Sequence, residues 1–391
     1  MVWALLGVHT TYIFIMKKIL SYTIGLSIAL LAVAPPLNYN IPTMFNSFGW
    51  LYIVVASGLF GMFLFSRDLP VLLKVLSGYL WLSCFFSSAP YLSFNAYILV
   101  VASLYFFLGA KHADKKIILN MVTAAFWLQV FIVSTQLLGK DTLLNFTRQG
   151  QPVFFGTILQ YMRFSSLLAI MAPLLILKSK WYIIPVIVMA VLSHSSAFGL
   201  AVIAGIAVYV FLKYKRYRLA VVLIGFFGSI GYVLWDITSF RTAMTCGRIP
   251  VWGDVIKSWV MDTSKGPVVH LSGPIDIKSI FFGRGMDTFL PLFPIMKHDP
   301  NPFPQAHNMY LQWLWEIGTV GASILLGYCG QVVYRLYRRK EFVYIAGLVI
   351  IGVNCLFAFP DRMTQTALMM LCFLAMCEKK IQLEEQHGRK H

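Results

Sequence analysis

The residues Ala306-His307-Asn308-Met309-Tyr310-Leu311 mark the junction between a polar segment and an apolar run. The polar segment reaches back to about residue 236, and the apolar run continues to about residue 330. An apolar run of this length is typical of a helix that crosses a bilayer, whose hydrocarbon core is about 30 Å thick. His307 therefore lies at the mouth of a predicted membrane helix, at the end of a loop long enough to fold.

The composition of the whole chain is that of a membrane protein. Of its 391 residues 59% are hydrophobic and only 12% are charged, whereas about a quarter of a soluble domain is charged. Long apolar runs recur along the sequence, without the alternation of apolar and polar residues that β-barrel strands show. We therefore predict an all-α polytopic membrane protein.

The apolar runs predict about twelve transmembrane helices in a single integral membrane domain that covers residues 1–391. One large loop, residues 236–306, interrupts them, and no internal repeat is visible. The predicted spans are 19–38, 49–66, 70–87, 94–110, 117–138, 158–177, 181–193, 195–212, 219–235, 309–330, 343–359 and 363–378.

Basic residues set the predicted orientation. The net charge of +17 comes largely from clusters that all fall on one side of the spans, which is expected of cytoplasmic loops. Both termini are then cytoplasmic and the large loop lies outside.

No basic stripe with interleaved aromatics marks a nucleic-acid site. Met16-Lys17-Lys18 before an apolar run is also typical of a translation start, so both Met1 and Met16 stay open as the first residue.

Several kinds of site are disfavoured. The acidic residues of the large loop are not paired, so a metal ion held by clustered carboxylates is not expected. No Gly-rich phosphate loop followed by Lys-Ser/Thr occurs, which disfavours ATP use. Cys246 is alone in the large loop, so no disulfide can form within it. We predict neither a metal nor a cofactor.

His307 is the first candidate for chemistry. Amides at the start of the following helix would favour an anion, and an imidazole there could act as a general base near neutral pH. The alternative is an interfacial histidine that is hydrogen-bonded to a loop carbonyl.

Arginines are the second group of candidates. Arg163 falls inside a predicted span, where it either reaches the outer headgroups or binds an anion in an outward cavity. Arg248 precedes a predicted amphipathic helix, whose apolar face is formed by Trp252, Val255, Ile256, Trp259 and Val260. Guanidinium groups suit phosphate because they donate two parallel hydrogen bonds.

The order of short motifs resembles a known family. Arg248-Ile249-Pro250-Val251-Trp252, Phe282-Gly283-Arg284-Gly285 with Phe289, His307-Asn308-Met309-Tyr310-Leu311 and Glu316-Ile317-Gly318 are similar to the domain shared by bacterial O-antigen ligases and O-antigen polymerases. The predicted topology is similar too. Many members have Ser-Arg between spans seven and eight, where this chain has Ser193-His194-Ser195-Ser196.

The resemblance implies a C-type membrane glycosyltransferase that inverts the sugar without a metal ion. It implies a glycan donor on undecaprenyl diphosphate, a lipid A-core acceptor, and a periplasmic active site in the bacterial inner membrane. His307, Arg248 and Arg163 match the family's catalytic positions, and Arg148 competes with Arg163. Further substrate contacts are assigned to Arg148, Arg284, Asn308, Tyr310 and Trp252.

Three alternatives stay open at this point. An O-antigen polymerase would use the same donor, as would an oligosaccharyltransferase that modifies protein. A polysaccharide transporter or flippase would be expected to show repeated halves, which this sequence lacks. A single dominant loop favours the ligase.

Overall fold

The structure is a computed structural model that describes residues 17–26, 68–138, 161–193, 195–223, 225, 248–261, 275–289, 292–293, 306–358 and 364–388. The helices with defined bounds are α1 (Val71–Phe86), α2 (Pro90–His112), α3 (Lys115–Leu137), α4 (Tyr161–Lys178), α5 (Ile183–Leu192), α6 (Ser196–Lys213), α7 (Arg248–Val260), α8 (Ile277–Phe282), α9 (Met309–Arg338), α10 (Phe342–Phe357) and α11 (Thr364–Gly388). Within these ranges the chain forms no strand, only an isolated antiparallel bridge between Met261 and Ile275. The all-α prediction is thereby confirmed.

The predicted number of spans is tested only in part. Among the described residues, three helices are long and apolar enough to cross a membrane: Leu92–His112 within α2, all of α3, and α9. Shorter apolar helices coincide with four more predicted spans, at Val71–Phe86, Lys180–Leu192, Ala197–Lys213 and Phe342–Phe357. The predicted span 49–66 and most of 19–38 and 219–235 lie outside the described residues. Twelve spans therefore stay a prediction.

Helix α4 forms the centre of the helix bundle. Its residues from Phe164 to Leu175 are almost all buried apolar side chains, and it packs against α3, α5, α6, α10 and α11. A Cβ atom at Gly347 of α10 would overlap the ring of Phe373 and lie 2.9 Å from the Cβ of Pro173. Because only glycine leaves room there, α10 approaches both α4 and α11 closely.

Helices α9 and α10 run antiparallel, joined by a tight turn in which the amide of Glu341 donates to Leu336 O at 3.0 Å. The start of α9 and the end of α10 therefore lie at the same end of the bundle, which we call the His307 end.

Charged side chains pair at the opposite end. Glu385 accepts from Arg335 at 2.8 Å and from Arg339 at 2.7 Å, while Lys380 lies 3.0 Å from both Glu341 and Glu384. These pairs explain why α11 continues to Gly388 although we predicted an end near residue 378. A helix that carries paired charges is stable beyond its apolar run.

The described part of the large loop has a small core of its own. Val251, Val255, Phe289, Phe293, Ala306 and Trp315 are buried together. Three indole N–H groups donate within this unit: Trp252 to Ala306 O, Trp259 to Ser279 O and Trp315 to Ser258 Oγ, each at 2.9 Å. The loop is thus folded onto the first turns of α9.

The amphipathic helix was predicted correctly, but the predicted apolar face is partly wrong. Val251, Val255 and Ser258 are buried, whereas Ile256 is 44% exposed. The true buried face is shifted towards residues 251, 255 and 258 because it packs against Phe289, Phe293 and Trp315. This face of α7 is covered by protein.

Candidate functional site

His307 is held in an unusual backbone conformation. Its φ is +52°, in the left-handed region that non-glycine residues rarely adopt. Such a conformation costs about 1–3 kcal/mol and persists only where its surroundings fix it. The imidazole is half-buried. This backbone strain is an observation that points to a functional role.

The neighbours of His307 are fixed on both sides. Trp252 Nε1 donates to the carbonyl of Ala306 at 2.9 Å, which ties α7 to the residue before His307. Asn308 is the N-cap of α9, and its Oδ1 accepts from the amides of Tyr310 at 3.0 Å and Leu311 at 3.1 Å. His307 is therefore positioned between a loop anchor and a helix cap.

This cap corrects one expectation from the sequence. We expected the first amides of α9 to attract an anion, but two of them are occupied by Asn308 Oδ1 and a third, on Gln312, donates to Asn308 O at 3.1 Å. A capped helix start has few amides left for a ligand. Asn308 itself is buried, and its visible role is structural.

Tyr310 connects α9 to α10. Its hydroxyl donates to the carbonyl of Gly352 at 2.9 Å, and its ring meets Trp313 edge to face with centroids 5.7 Å apart. The hydroxyl is therefore used within the protein. The substrate contact predicted for Tyr310 remains a prediction.

Arg163 lies at the same end of the bundle as His307. One turn further along α4, Ser166 Oγ accepts from Asn354 Nδ2 of α10 at 2.8 Å, and both residues are buried. Asn354 is two residues from Gly352, which Tyr310 contacts. Because α4 and α9 meet α10 at neighbouring levels, Arg163 and His307 belong to one end of the bundle. The side chain of Arg163 is half-buried.

For Arg248, only the position of the backbone is described. It is the first residue of α7, one turn before Trp252, which bonds to the carbonyl next to His307. The first turn of α7 therefore approaches the His307 segment. Trp252 is seen to hold α7 against Ala306, and its predicted substrate contact stays a prediction. Arg148 and His194 lie outside the described residues.

Arg284 is seen in a structural role that the sequence did not predict. It is 5% exposed, and its guanidinium donates to the carbonyls of Ser258 and Met261, each at 2.7 Å, at the end of α7. Asp276 Oδ2 lies 3.7 Å from the same group. These contacts join α7 to the turn after α8, and substrate binding by Arg284 stays a prediction.

The Phe282–Gly285 turn joins α9 at a break in that helix. Gly318 has φ +66° and ψ −178°, and Gly283 has φ +73° and ψ −176°, a region that only glycine adopts readily. The amides of Arg284 and Gly285 donate to the carbonyls of Trp315 and Glu316, at 2.8 and 3.0 Å. Two of the motifs that carry the resemblance therefore pack against each other.

Two further groups hold this glycine junction, and the sequence did not reveal them. Tyr79 donates from one hydroxyl towards Phe281 O at 2.8 Å and Ile317 O at 2.9 Å. Ser87 and Ser93, 2.7 Å apart, bond to the carbonyls of Arg284 and Met286. These residues come from α1, α2 and their connection, far from the loop in sequence.

Polar residues inside apolar helices could have been found from the sequence. Gln312 and Glu316 interrupt the apolar run of α9, and Asn354 interrupts that of α10. All three are buried. A buried polar residue in a membrane helix is a functional candidate by default.

No group of three or more His, Cys, Asp or Glu side chains could hold a metal ion within the described ranges. No family model matches this chain, and no curated protein matches it either. The family resemblance of the motifs is therefore a hypothesis that rests on the residues themselves.

Proposed function

We propose that this protein is an O-antigen ligase, a metal-independent inverting glycosyltransferase of the bacterial inner membrane. It would take a glycan from undecaprenyl diphosphate and attach it to lipid A-core at the periplasmic face. The proposal joins the order of the four motifs to the arrangement of His307, Arg163 and the first turn of α7 at one end of the bundle.

One observation carries this proposal. His307 has a left-handed backbone that is fixed by Trp252 through Ala306 O and by the Asn308 cap. The protein holds the backbone of His307 in this strained conformation at the end of a folded loop, at the same end of the bundle as Arg163 of the central helix.

The proposed chemistry follows from these groups. The acceptor hydroxyl attacks the anomeric carbon while His307 takes its proton, and the bond to the diphosphate breaks. The undecaprenyl diphosphate leaves with the electron pair, and Arg163 and Arg248 stabilise its growing negative charge. The arginines carry this task, because Asn308 occupies amides at the start of α9.

The test is the lipopolysaccharide of a strain that lacks this gene. Bare core without attached glycan supports a ligase, whereas core with one repeat supports an O-antigen polymerase. Unchanged lipopolysaccharide with unglycosylated proteins would support an oligosaccharyltransferase, and accumulation of lipid-linked glycan inside the cell would support a flippase. EDTA should leave transfer by the purified protein unchanged.

A further inference from the structure

Two buried polar side chains of α9 have no role in the chemistry above. Gln312 and Glu316 are each 3% exposed, and Gln312 Nε2 donates to Glu316 Oε1 at 3.1 Å. They are one helical turn apart, so both point to the same side of the helix. Gln312 is five residues after His307.

The pair lies where two cores meet. Trp315 and Leu311 of α9 belong to the core of the loop, while Met309 and Ile317 belong to the core of the helix bundle. With about 100° of rotation per residue, positions 312 and 316 fall between these two sides of α9. The carbonyl of Glu316 accepts from the amide of Gly285, which fixes the loop beside the pair.

The amide oxygen of Gln312 is an acceptor that the described residues do not use. Gln312 Oε1 is buried and has no hydrogen-bond partner among the described residues. A buried acceptor without a donor is rare and requires an explanation. It stands beside a buried carboxylate, which accepts hydrogen bonds when ionised.

We propose that Gln312 Oε1 and the carboxylate of Glu316 bind a hydroxyl group of the acceptor sugar between the loop and the bundle. Both groups accept hydrogen bonds, so the ligand must donate them, as a sugar hydroxyl does. A carboxylate repels phosphate, so the diphosphate of the donor does not fit here. This inference rests on the proposed glycosyl transfer, and it places the acceptor next to His307.

The experiment uses purified full-length protein in detergent, with undecaprenyl-diphosphate-linked glycan and lipid A-core as substrates. Gln312→Met keeps the length of the side chain and removes its hydrogen bonds, and Glu316→Gln removes the charge. We expect the KM for lipid A-core to rise about tenfold in each variant, since a lost hydrogen bond to a buried polar group is worth about that factor. The KM for the donor should stay unchanged.

Gln129→Met is the matched control, because Gln129 is also a buried glutamine of an apolar helix, α3. Its KM values should equal those of the wild type. Unchanged KM for lipid A-core in both variants would overturn the inference. Equal rises in both KM values together with a lower melting temperature would also overturn it, because they would indicate a structural role.

A binding measurement separates this inference from the proposed function. Core oligosaccharide released from lipopolysaccharide should raise the melting temperature of the wild-type protein, and Gln312→Met should lose that shift. If the wild-type protein shows this rise in melting temperature but transfers no glycan, the proposed ligase function is refuted and the sugar site is not. If Gln312→Met shows the same rise as the wild type, the sugar site is refuted and the ligase function is not.

Discussion

The backbones of Gly283 and Gly318 lie directly against each other. A Cβ atom on Gly283 would overlap the carbonyl of Glu316, and one on Gly318 would overlap the carbonyl of Phe281. Each glycine also has a backbone conformation that other residues avoid. This contact is where the large loop joins the break in α9.

Gly318→Ala should therefore destabilise the protein strongly. We expect a loss of about 3 kcal/mol or more, from about 1–3 kcal/mol of backbone strain and from the overlap with backbone atoms that cannot move aside. The measurement is thermal unfolding in detergent. Gly327→Ala, in the same helix with open space around it, is the control and should be neutral or slightly stabilising. Equal stability of the two variants would contradict the conclusion that the contact between Gly283 and Gly318 requires glycine.

Tyr79→Phe should loosen the junction without unfolding the bundle. Two carbonyls, of Phe281 and Ile317, lose their shared donor, at a cost of about 1–3 kcal/mol. Hydrogen exchange at the amides of Arg284 and Gly285 should accelerate. Tyr105→Phe is the control, since no hydrogen bond of its hydroxyl is seen within the described ranges. Equal exchange in both variants would count against the role of Tyr79.

His307→Asn should lower glycan transfer by a factor of about 10²–10⁴, the usual contribution of a general base. Asparagine tolerates the left-handed backbone better than alanine, so the fold is preserved while the imidazole is lost. Transfer is measured with purified protein and both substrates. His112→Asn, which removes an imidazole 2.9 Å from Asp68, should retain activity. Full activity of His307→Asn would exclude His307 from the mechanism.

Arg163→Lys should raise the KM for the lipid-linked donor and lower turnover below that of the wild type. A lysine keeps the charge but lacks the planar fork that donates two hydrogen bonds to phosphate. Arg163→Gln, which also removes the charge, should raise the KM for the donor further. The kinetics are compared with Arg218→Lys, whose guanidinium Nε donates to the carbonyl of Phe211 at 3.0 Å. Donor kinetics that are the same in all three variants would argue against a role of Arg163 in donor binding.

Glu385 should make stability depend on pH. The hydrogen bond from Arg335, together with the charges of Arg335 and Arg339, lowers the pKa of this carboxyl and outweighs its partial desolvation. Since the folded-state pKa is lowered, the contribution to stability is present above the ordinary value of 4.5 and is lost as pH falls through the lowered value. The side chain is 38% exposed, so solvent screens the effect.

The expected result is a lower melting temperature for Glu385→Gln at pH 7 and a smaller difference from the wild type below pH 4. A difference that is the same at both pH values would show that the ionised carboxyl contributes nothing.

The apolar helices could be predicted because length and hydrophobicity are local properties. The runs that became α3 and α9 are long and apolar enough to cross a bilayer. The predicted end of α11 was wrong because the last turns of this helix depend on ion pairs with Arg335, Arg339 and Glu341, which are distant in sequence. Such pairs are not visible in a hydropathy pattern.

The candidate site was predictable as a list of residues and not as an arrangement. His307 at the helix mouth follows from the sequence, but its left-handed backbone and the cap by Asn308 do not. Arg284 was predicted to contact substrate. Its carbonyl partners at Ser258 and Met261 appear only once α7 and the turn after α8 are folded together.

Two hydrogen-bonded indoles where the loop meets α9 give the protein an optical reporter of its own. Trp252 of α7 donates to Ala306 O just before α9, and Trp315 of α9 donates to Ser258 Oγ of α7, so both bonds break if α7 separates from α9. Their fluorescence should therefore shift to longer wavelength on that separation, while the exposed tryptophans of the bundle, Trp81, Trp127 and Trp181, provide a constant background. Attachment of the loop can then be followed during turnover without any added label.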